Sequence, residues 1–335
     1  MTTQAPADIT RDVSLLDLTR PVAAEMQQVG ERLGELLPAE MRGLAPVVYR
    51  HVLEAGGKRL RPLLTLLSCQ AAGGVAEEAV GLASAAEIIH LSSLIHDDVI
   101  DEAQERRGKP SARKRWGNRA SILVGDLLIA EVFRRLADEL GREALSVLAG
   151  AVVSMCEAEL VEDEPGVWPS EEAYMSNIRG KTGALMAAAC EVGARIAGDK
   201  GSIEALGGYG LQLGLAFQIA DDLLDLYGDA TRLGKPVWQD LARGNWTLPV
   251  IAALREAPAG PRQELLGLLE RIAEGQIEVA SEAASAIEAL GGRAYAAGQA
   301  EALAGEAAAF LTALPDSPAR QSLAGLTQYV VHRGL

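Results

Sequence analysis

Aromatic residues, cysteines and positive charge are all scarce in this sequence of 335 residues. Only 4% of the residues are aromatic, and because aromatic side chains favour strands, this scarcity favours helices. The three cysteines (Cys69, Cys156 and Cys190) lack the spacing of metal ligands, which indicates reduced thiols in a cytoplasmic protein. The net charge of −15 excludes nucleic acid as the expected partner and disfavours an anionic membrane surface.

The chain also lacks the marks of a targeting or membrane-spanning segment. Its N-terminal stretch has no positive region followed by an apolar core, so no signal peptide is predicted. No apolar run is expected to be long enough to span a bilayer, and we predict no stable membrane insertion. Residues 1–12 are polar and are expected to be poorly ordered. Apolar residues recur at helical spacing with no linker and no alternating strand pattern, which predicts one all-α domain over residues 1–335.

A group of carboxylates ends one apolar helical segment. The first acidic cluster, which consists of Asp97, Asp98 and Asp101, follows the run IIHLSSLIH and precedes the pair Arg106-Arg107. Close carboxylates repel each other unless a cation lies between them, and neighbouring arginines favour an anion. Mg²⁺ shared between carboxylates and substrate phosphates would satisfy both groups. Taken alone, such a cluster is more often a solvated helix end.

The same pattern occurs a second time, and the repeat favours a metal site over a solvated helix end. The second acidic cluster consists of Asp221, Asp222 and Asp225 and also ends an apolar segment. Asp221 follows Asp97 by 221 − 97 = 124 residues, and the spacing within the two clusters is the same. Two such helices facing each other predict a clamp of two or three Mg²⁺ ions for a diphosphate.

With these motifs in place, the chain resembles the trans-isoprenyl diphosphate synthases, the polyprenyl synthetase family, from about Val47 to Arg333. The motifs that carry the resemblance are GGKRLRP (56–62), IHDDVID (95–101), RRGKPS (106–111), GD (125–126), KTGAL (181–185), FQIADDLLD (217–225), GKP (234–236) and TLP (247–249). The resemblance implies the isoprenoid synthase fold, an all-α helical bundle around a deep apolar cavity, with the two Asp-rich helices facing each other. It implies a Mg²⁺-dependent condensation of isopentenyl diphosphate with an allylic prenyl diphosphate, and a homodimer.

The resemblance also implies a role for each residue that matches a motif. The implied metal ligands are Asp97, Asp101, Asp221 and Asp225, with Asp98 and Asp222 in support. The implied contacts to the allylic diphosphate are Arg106, Lys181, Thr182, Gln218 and Lys235. The implied contacts to isopentenyl diphosphate are Lys58, Arg61, His90 and Arg107. The residues expected to drive ionisation of the allylic substrate are Asp97, Asp98, Asp101, Arg106, Lys181, Asp221 and Asp222.

Product length is expected to depend on the helix that carries the first acidic cluster. Short-chain members of the family place Phe or Tyr four or five residues before its first Asp, where this chain has Ser93 and Ser92. Neither serine can stop a growing chain, so we predict a linear product longer than fifteen carbons, of medium to long chain. Ile89, or Leu123 or Leu127 on a facing helix, is the expected stop.

Three departures from the family pattern affect the diphosphate end and the lower cavity. Asn245 replaces a usual Lys, Trp238 replaces a usual Gly, and Glu162 replaces a Gln found in many long-chain members. Two alternatives stay open: a short-chain (farnesyl or geranylgeranyl) synthase, and a weakly active subunit of a heteromeric synthase. A terpene cyclase shares the fold, but it has no use for a second diphosphate pocket.

Overall fold

A computed structural model describes residues 14–37, 41–162, 170–197, 199–229 and 237–333. Residues 1–12, for which disorder was predicted, lie outside this range. The part of the chain that it describes is almost entirely helical, which confirms the predicted all-α class. The helices of the N-terminal half are α1 (Leu15–Thr19), α2 (Ala23–Gly34), α3 (Ala45–Glu54), α4 (Leu60–Ala71), α5 (Val80–Ile100), α6 (Ala112–Trp116), α7 (Asn118–Arg135) and α8 (Arg142–Glu162). Those that follow are α9 (Glu171–Ile178), α10 (Ala184–Ala194), α11 (Lys200–Tyr227), α12 (Gln239–Arg243), α13 (Leu248–Glu256), α14 (Ala259–Ala273), α15 (Ala280–Ala289), α16 (Gly292–Phe310) and α17 (Pro318–His332).

The centre of the bundle is formed by α4, α5, α10 and α11, whose side chains are mostly buried. α10 packs against both α4 and α11, and small residues allow the backbones to approach closely. A Cβ at Gly193 would collide with the carbonyl oxygen of Thr65 on α4, so this crossing requires glycine. The acidic clusters lie at the C-terminal ends of α5 and α11, and the central packing fixes both helices in place.

Several helix ends agree with the sequence. Ser170 caps α9, since its hydroxyl accepts the backbone N–H of Ala173 at 3.1 Å, and serine is a preferred residue at this position. α9 continues through a π-helical turn, Arg179–Gly183, into α10. Such turns shift the side chains that they carry and are frequent at functional sites. This turn carries Lys181 and Thr182.

The charged segment between the first acidic cluster and α7 contains a small hairpin. Its strands, Glu105–Arg106 and Lys109–Pro110, pair antiparallel, so the expectation of no sheet is wrong for these four residues. The two turn residues, Arg107 and Gly108, have φ angles of 52° and 73°. A hairpin turn of two residues of this type requires positive φ at both positions. Because arginine rarely adopts positive φ, the sequence pattern gave no sign of a turn here.

The segment between α11 and α13 contains a short helix, α12, that the sequence did not indicate. Leu241 of α12 packs with α13, α14 and α15 in a smaller hydrophobic cluster at the end of α11. This cluster meets the main core at Tyr227 and Trp246, which contact both. α12 therefore lies over the end of α11 that carries the second acidic cluster.

Two described helical stretches are long and apolar enough to span a membrane, contrary to the sequence prediction. The stretch Ala76–Ile100 is 72% buried inside the protein, as expected of a core helix. The stretch Arg142–Val161 is only 22% buried. It exposes Val153, Leu160 and Val161 to the surroundings of the single chain.

Candidate active site

A cavity of about 700 Å³ opens beside the first acidic cluster, between α5, α7 and α8. Its lining is mostly apolar, with Asp97, Glu159 and Lys181 at one end. Arg243 of α12 pairs with Asp101, and Asp225 caps the same short helix, so the two acidic clusters border a common space. The charges of Asp97 and Asp221 both act on the pKa of Arg61, which agrees with this placement. The predicted apolar cavity is present with the first Asp-rich helix end at its mouth, and the second Asp-rich helix end lies beside the first, connected to it through Arg243 of α12.

The three residues of the first acidic cluster have different surroundings. Asp97 faces the cavity, and burial together with the neighbouring carboxylate of Glu159 raises its pKa to about 7. Asp98 is buried and accepts two contacts from the Arg106 guanidinium, at 2.8 Å from Nε and 2.7 Å from Nη2. Burial raises the pKa of Asp98, and Arg106 opposes that shift. Asp101 pairs with Arg243, whose Nη1 lies 3.0 Å from its Oδ2.

The second acidic cluster is arranged differently. Asp221 is 37% exposed and pairs with Arg333, whose Nη2 lies 2.8 Å from its Oδ1. Asp222 and Asp225 are buried, at 3% and 5% exposure. Oδ2 of Asp225 accepts the backbone N–H of Asp240 at 3.1 Å, so this carboxylate caps the first turn of α12. Asp221 is therefore the carboxylate of this cluster that faces the common space.

A chain of hydrogen bonds connects Asp222 with the residues predicted to bind the allylic diphosphate. Thr182 donates to Gln218 at 2.7 Å, and Gln218 donates to Asp222 at 2.9 Å. The hydroxyl of Tyr174 donates to the other oxygen of Asp222 at 2.6 Å. Burial raises the pKa of Asp222 well above its usual value, and both donors oppose that shift. These hydrogen bonds fix Thr182 and Gln218 beside Lys181. Lys235, which was also predicted to bind the allylic diphosphate, lies outside the described residues.

The residues predicted to bind isopentenyl diphosphate also lie together. The charges of Arg61 and Arg107 both lower the pKa of His90, and both also lower the pKa of the buried carboxylate of Glu87. Burial, followed by the charge of Arg61, lowers the pKa of His90 well below its usual value. A neutral imidazole can still donate a hydrogen bond to a diphosphate, and the role of His90 as a contact to isopentenyl diphosphate stays a prediction.

Two details suit this pocket to an anion. Nε of Arg61 is buried and has no hydrogen-bond partner among the described residues, and such a donor is costly unless an acceptor arrives. A Cβ at Gly57 would lie 2.5 Å from Nη1 of Arg107, so only glycine allows this guanidinium to rest on the loop. Lys58 lies beside this loop, with its Nζ 5.4 Å from the centre of the Tyr329 ring.

Sequence reasoning missed two of the cations that face the carboxylates, Arg243 and Arg333. Four ion pairs surround the common space: Asp98–Arg106, Asp101–Arg243, Asp221–Arg333 and Glu159–Lys181. Arg333 is 7% exposed and stacks over the ring of Phe217, 3.7 Å from its centre. Neither Arg243 nor Arg333 stood out in the sequence, since each lies more than 100 residues from its partner.

The lining of the cavity corrects the predicted stop for the growing chain. Ile89, Ser92 and Ser93 line it as predicted. Leu123 is 57% exposed, and neither it nor Leu127 is among the lining residues. α7 instead contributes Ile122, Asp126, Ile129, Ala130 and Phe133. The prediction chose the wrong face of α7, because the sequence does not fix the rotation of one helix against another.

The two serines of the cavity wall are not equivalent. Ser92 is fully buried and donates to the carbonyl oxygen of Gly125 at 2.9 Å, where α5 and α7 meet. Ser93 is partly exposed to the cavity and donates only to His90, one turn back on its own helix, at 2.9 Å. A larger side chain at Ser93 would therefore enter the cavity, whereas at Ser92 it would push α5 away from α7.

The structure explains one of the three departures from the family pattern. Trp238 has a φ of 62°, a conformation in which glycine is the usual residue. Its indole Nε1 donates to the carbonyl oxygen of Leu226 at 3.1 Å, which offsets part of the strain. Asn245 is partly buried, and its backbone N–H donates to Asp240 at 2.9 Å. The side chain of Glu162 is not described.

The carboxylates suit Mg²⁺ only as a shared site. Within the described ranges, no group of three His, Cys, Asp or Glu side chains is placed to hold one ion by itself. Mg²⁺ usually takes one or two carboxylates and completes its shell with water and substrate phosphates. Asp97, Asp101 and Asp221 provide such partial sets, and a cation would favour the ionised form of Asp97, whose pKa is raised by burial and then by the carboxylate of Glu159. These residues therefore fit Mg²⁺ bound together with a diphosphate.

Comparison with known proteins agrees with this arrangement. Residues 44–287 match the family described as polyprenyl synthetase. The nonaprenyl diphosphate synthase of Mycobacterium tuberculosis is 37% identical over 98% of this chain and 99% of its own length. A short chain isoprenyl diphosphate synthase of Methanothermobacter thermautotrophicus is also 37% identical, over 92% of this chain and 94% of its own. The crystal structure of a polyprenyl synthase from Caulobacter crescentus, complexed with calcium and isoprenyl diphosphate, is 35% identical and superposes with a TM-score of 0.89, covering 97% of this chain and 99% of that one.

Proposed function

The chain belongs to the polyprenyl synthetase family, and we propose that it condenses isopentenyl diphosphate with an allylic prenyl diphosphate to form a linear all-trans polyprenyl diphosphate. The observation that carries this proposal is the pair of anion sites beside the two acidic clusters. One site is the acidic clusters with Arg106, Lys181 and the Thr182–Gln218 pair. The other is the pocket around Arg61, whose buried Nε lacks a partner among the described residues.

The reaction follows from the chemistry of these groups. The C–O bond of the allylic substrate breaks, and Arg106 and Lys181 stabilise the negative charge of the departing diphosphate. The double bond of isopentenyl diphosphate, held through Arg61 and Arg107, supplies the electron pair for the new C–C bond. A proton is then lost to the departed diphosphate. The apolar wall of the cavity keeps water from the allylic cation.

The cofactor is proposed to be Mg²⁺, with two or three ions in each site. Asp97, Asp101 and Asp221 would hold it, and it would add positive charge where the diphosphate leaves. Asp225 was also predicted as a ligand, and one of its oxygens accepts the backbone N–H of Asp240 in α12.

We propose a product of medium to long chain. From Asp97 to Ile89 the cavity follows α5 over eight residues, about 12 Å at 1.5 Å per residue, and meets no aromatic side chain on that helix. The aromatic residue among the lining is Phe133 on α7, which we propose as the stop in place of Leu123 or Leu127. Since relatives of both short and long product are equally identical to this chain, the cavity is the better guide to length.

A homodimer is proposed from the exposed surface of α7 and α8. Ile122 on α7 lines the cavity and is 44% exposed, while Val153 and Leu160 on α8 are 56% and 72% exposed. Apolar patches of this kind usually mark an interface. A second copy would cover them and close the outer wall of the cavity. A cytoplasmic location is proposed as well, since Cys69, Cys156 and Cys190 are all unpaired.

One experiment tests the activity and the product length together. The purified chain is incubated with Mg²⁺, labelled isopentenyl diphosphate and each of several short allylic primers, and the products are sized. We expect products longer than fifteen carbons, and Ser93→Phe should shorten them sharply while primer consumption continues. Ser281→Phe, at an exposed position of α15, is the control. Absence of elongation contradicts the proposed function, and an unchanged distribution in Ser93→Phe contradicts the proposed path of the chain.

A further inference from the structure

Arg243 occupies a bridging position between the two acidic clusters. The backbone of its helix, α12, is attached to the end of α11, where Asp225 accepts the N–H of Asp240 through its side chain and the N–H of Trp238 at 2.8 Å through its carbonyl oxygen. At the other end of α12, the guanidinium of Arg243 reaches Asp101 of the first cluster. A helix of five residues therefore connects both carboxylate groups.

The ion pair between Arg243 and Asp101 is weak enough for Arg243 to exchange Asp101 for another anionic partner. It is a single contact of 3.0 Å between side chains that are 40% and 28% exposed, so water screens it and its strength is small. The pair between Arg333 and Asp221 is of another kind, because Arg333 is 7% exposed and fixed over Phe217. Arg243 can therefore turn to another anion without uncovering a buried charge.

The charge of the segment favours the same conclusion. Arg243 is the one cationic side chain in the sequence from Val237 to Thr247, and Asn245 two residues later is neutral. When Asp101 takes a metal ion, its attraction for a guanidinium falls. The nearest new anion would be the diphosphate held by the same ions, which a guanidinium can bind through two parallel hydrogen bonds.

We propose that Arg243 is a further substrate-binding residue, which pairs with Asp101 in the metal-free protein and with the allylic diphosphate once metal is bound. The proposal rests on the proposed function, since it requires a diphosphate at this mouth. It makes two predictions of opposite sign. Without Arg243, Mg²⁺ should meet less competition at Asp101, and a diphosphate should lose a partner.

The test compares Arg243→Gln, Arg243→Lys and wild type, with Arg262→Gln on an exposed position of α14 as the control. The Mg²⁺ concentration at the midpoint of a thermal-shift titration is measured without substrate. For Arg243→Gln we expect it to fall about twofold to fivefold, as for the loss of a partly exposed ion pair. Inorganic pyrophosphate binding at saturating Mg²⁺, measured by calorimetry, should weaken about tenfold or more, as for a hydrogen bond between charged groups. Arg243→Lys should lie between wild type and Arg243→Gln, and Arg262→Gln should match wild type.

Two results would overturn the proposal. Pyrophosphate affinity of Arg243→Gln within twofold of wild type would show that Arg243 does not bind the diphosphate. Parallel losses of Mg²⁺ and pyrophosphate affinity would show a merely structural role. The activity of the wild type distinguishes failure of this proposal from failure of the proposed function. If the wild type elongates primers, the proposed function stands whatever the role of Arg243. If the wild type neither binds pyrophosphate nor elongates primers, both proposals fail.

Discussion

The two acidic clusters share one sequence pattern, but the structure gives their members different tasks. In the first cluster, Asp97 and Asp101 are accessible and only Asp98 is buried. In the second, Asp221 alone is accessible, and both Asp222 and Asp225 are buried. The difference comes from what lies against each helix end. A hairpin approaches α5 and offers arginine to Asp98, whereas α9 and α12 approach α11 and offer a phenol and a backbone amide.

The comparison shows that a repeated motif does not imply repeated roles. The middle carboxylate, Asp98 or Asp222, is buried in both clusters, but its partners differ in kind. Asp98 holds a cation that is also assigned to the substrate, so its pairing can respond to ligand. Asp222 holds two neutral donors, Tyr174 and Gln218, which orient the site without changing its charge. The first acidic cluster, which we call the first wall, can therefore change its ion pairs when a ligand binds. The second acidic cluster, the second wall, is held in a fixed arrangement.

Asp97→Asn and Asp221→Asn test the feature that the two acidic clusters share, an accessible carboxylate at the first position of the cluster. We expect each substitution to lower kcat/KM by about 10³ or more, since each removes charge from groups that would hold Mg²⁺ at the leaving diphosphate. Steady-state turnover at saturating Mg²⁺ measures it. Glu204→Gln is the control, because Glu204 is 71% exposed at the far end of the helix that carries Asp221. Near wild-type turnover in either aspartate variant would contradict the clamp.

Tyr174→Phe tests the rigidity of the second wall. It leaves one oxygen of the buried Asp222 without its phenol donor, and we expect the free energy of unfolding to fall by about 1–3 kcal/mol. Denaturant unfolding measures the change. Tyr295→Phe is the matched control, because it removes a phenol–carboxylate hydrogen bond to Glu171 at a less buried position, and it should cost less than about 1 kcal/mol. Equal costs for the two variants would mean that Asp222 is not a structural anchor.

Much of the fold and half of the site could be predicted from the sequence. Long helices such as α5 and α11 follow from apolar periodicity, and the clusters at their ends are local in sequence. The partners of those clusters are not local. Arg243 and Arg333 reach their aspartates across 142 and 112 residues, and no pattern in the sequence announces such a contact.

The elements that were missed share a physical cause. α12 has five residues, too few to form a helix by local propensity, and it depends on the cap from Asp225. The hairpin depends on a positive φ at Arg107, a conformation that arginine rarely adopts. In both cases the tertiary structure overrides the local preference, and in both cases the element carries an arginine to an acidic cluster.

Asp225 offers the sharpest comparison between the clusters, although the expected effect is the smallest. By sequence it matches Asp101 and was predicted as a metal ligand, but its side chain caps α12. Asn can still accept the N–H of Asp240, so Asp225→Asn should keep the cap, remove the charge and lower kcat/KM by about tenfold or less. Asp225→Ala should remove the cap and lower the free energy of unfolding by about 0.5–2 kcal/mol. The two variants thus separate charge from capping, with turnover and denaturant unfolding measured on both. If Asp225→Asn loses as much activity as Asp221→Asn, Asp225 is a metal ligand like Asp101, and the two walls are alike in function as well as in sequence.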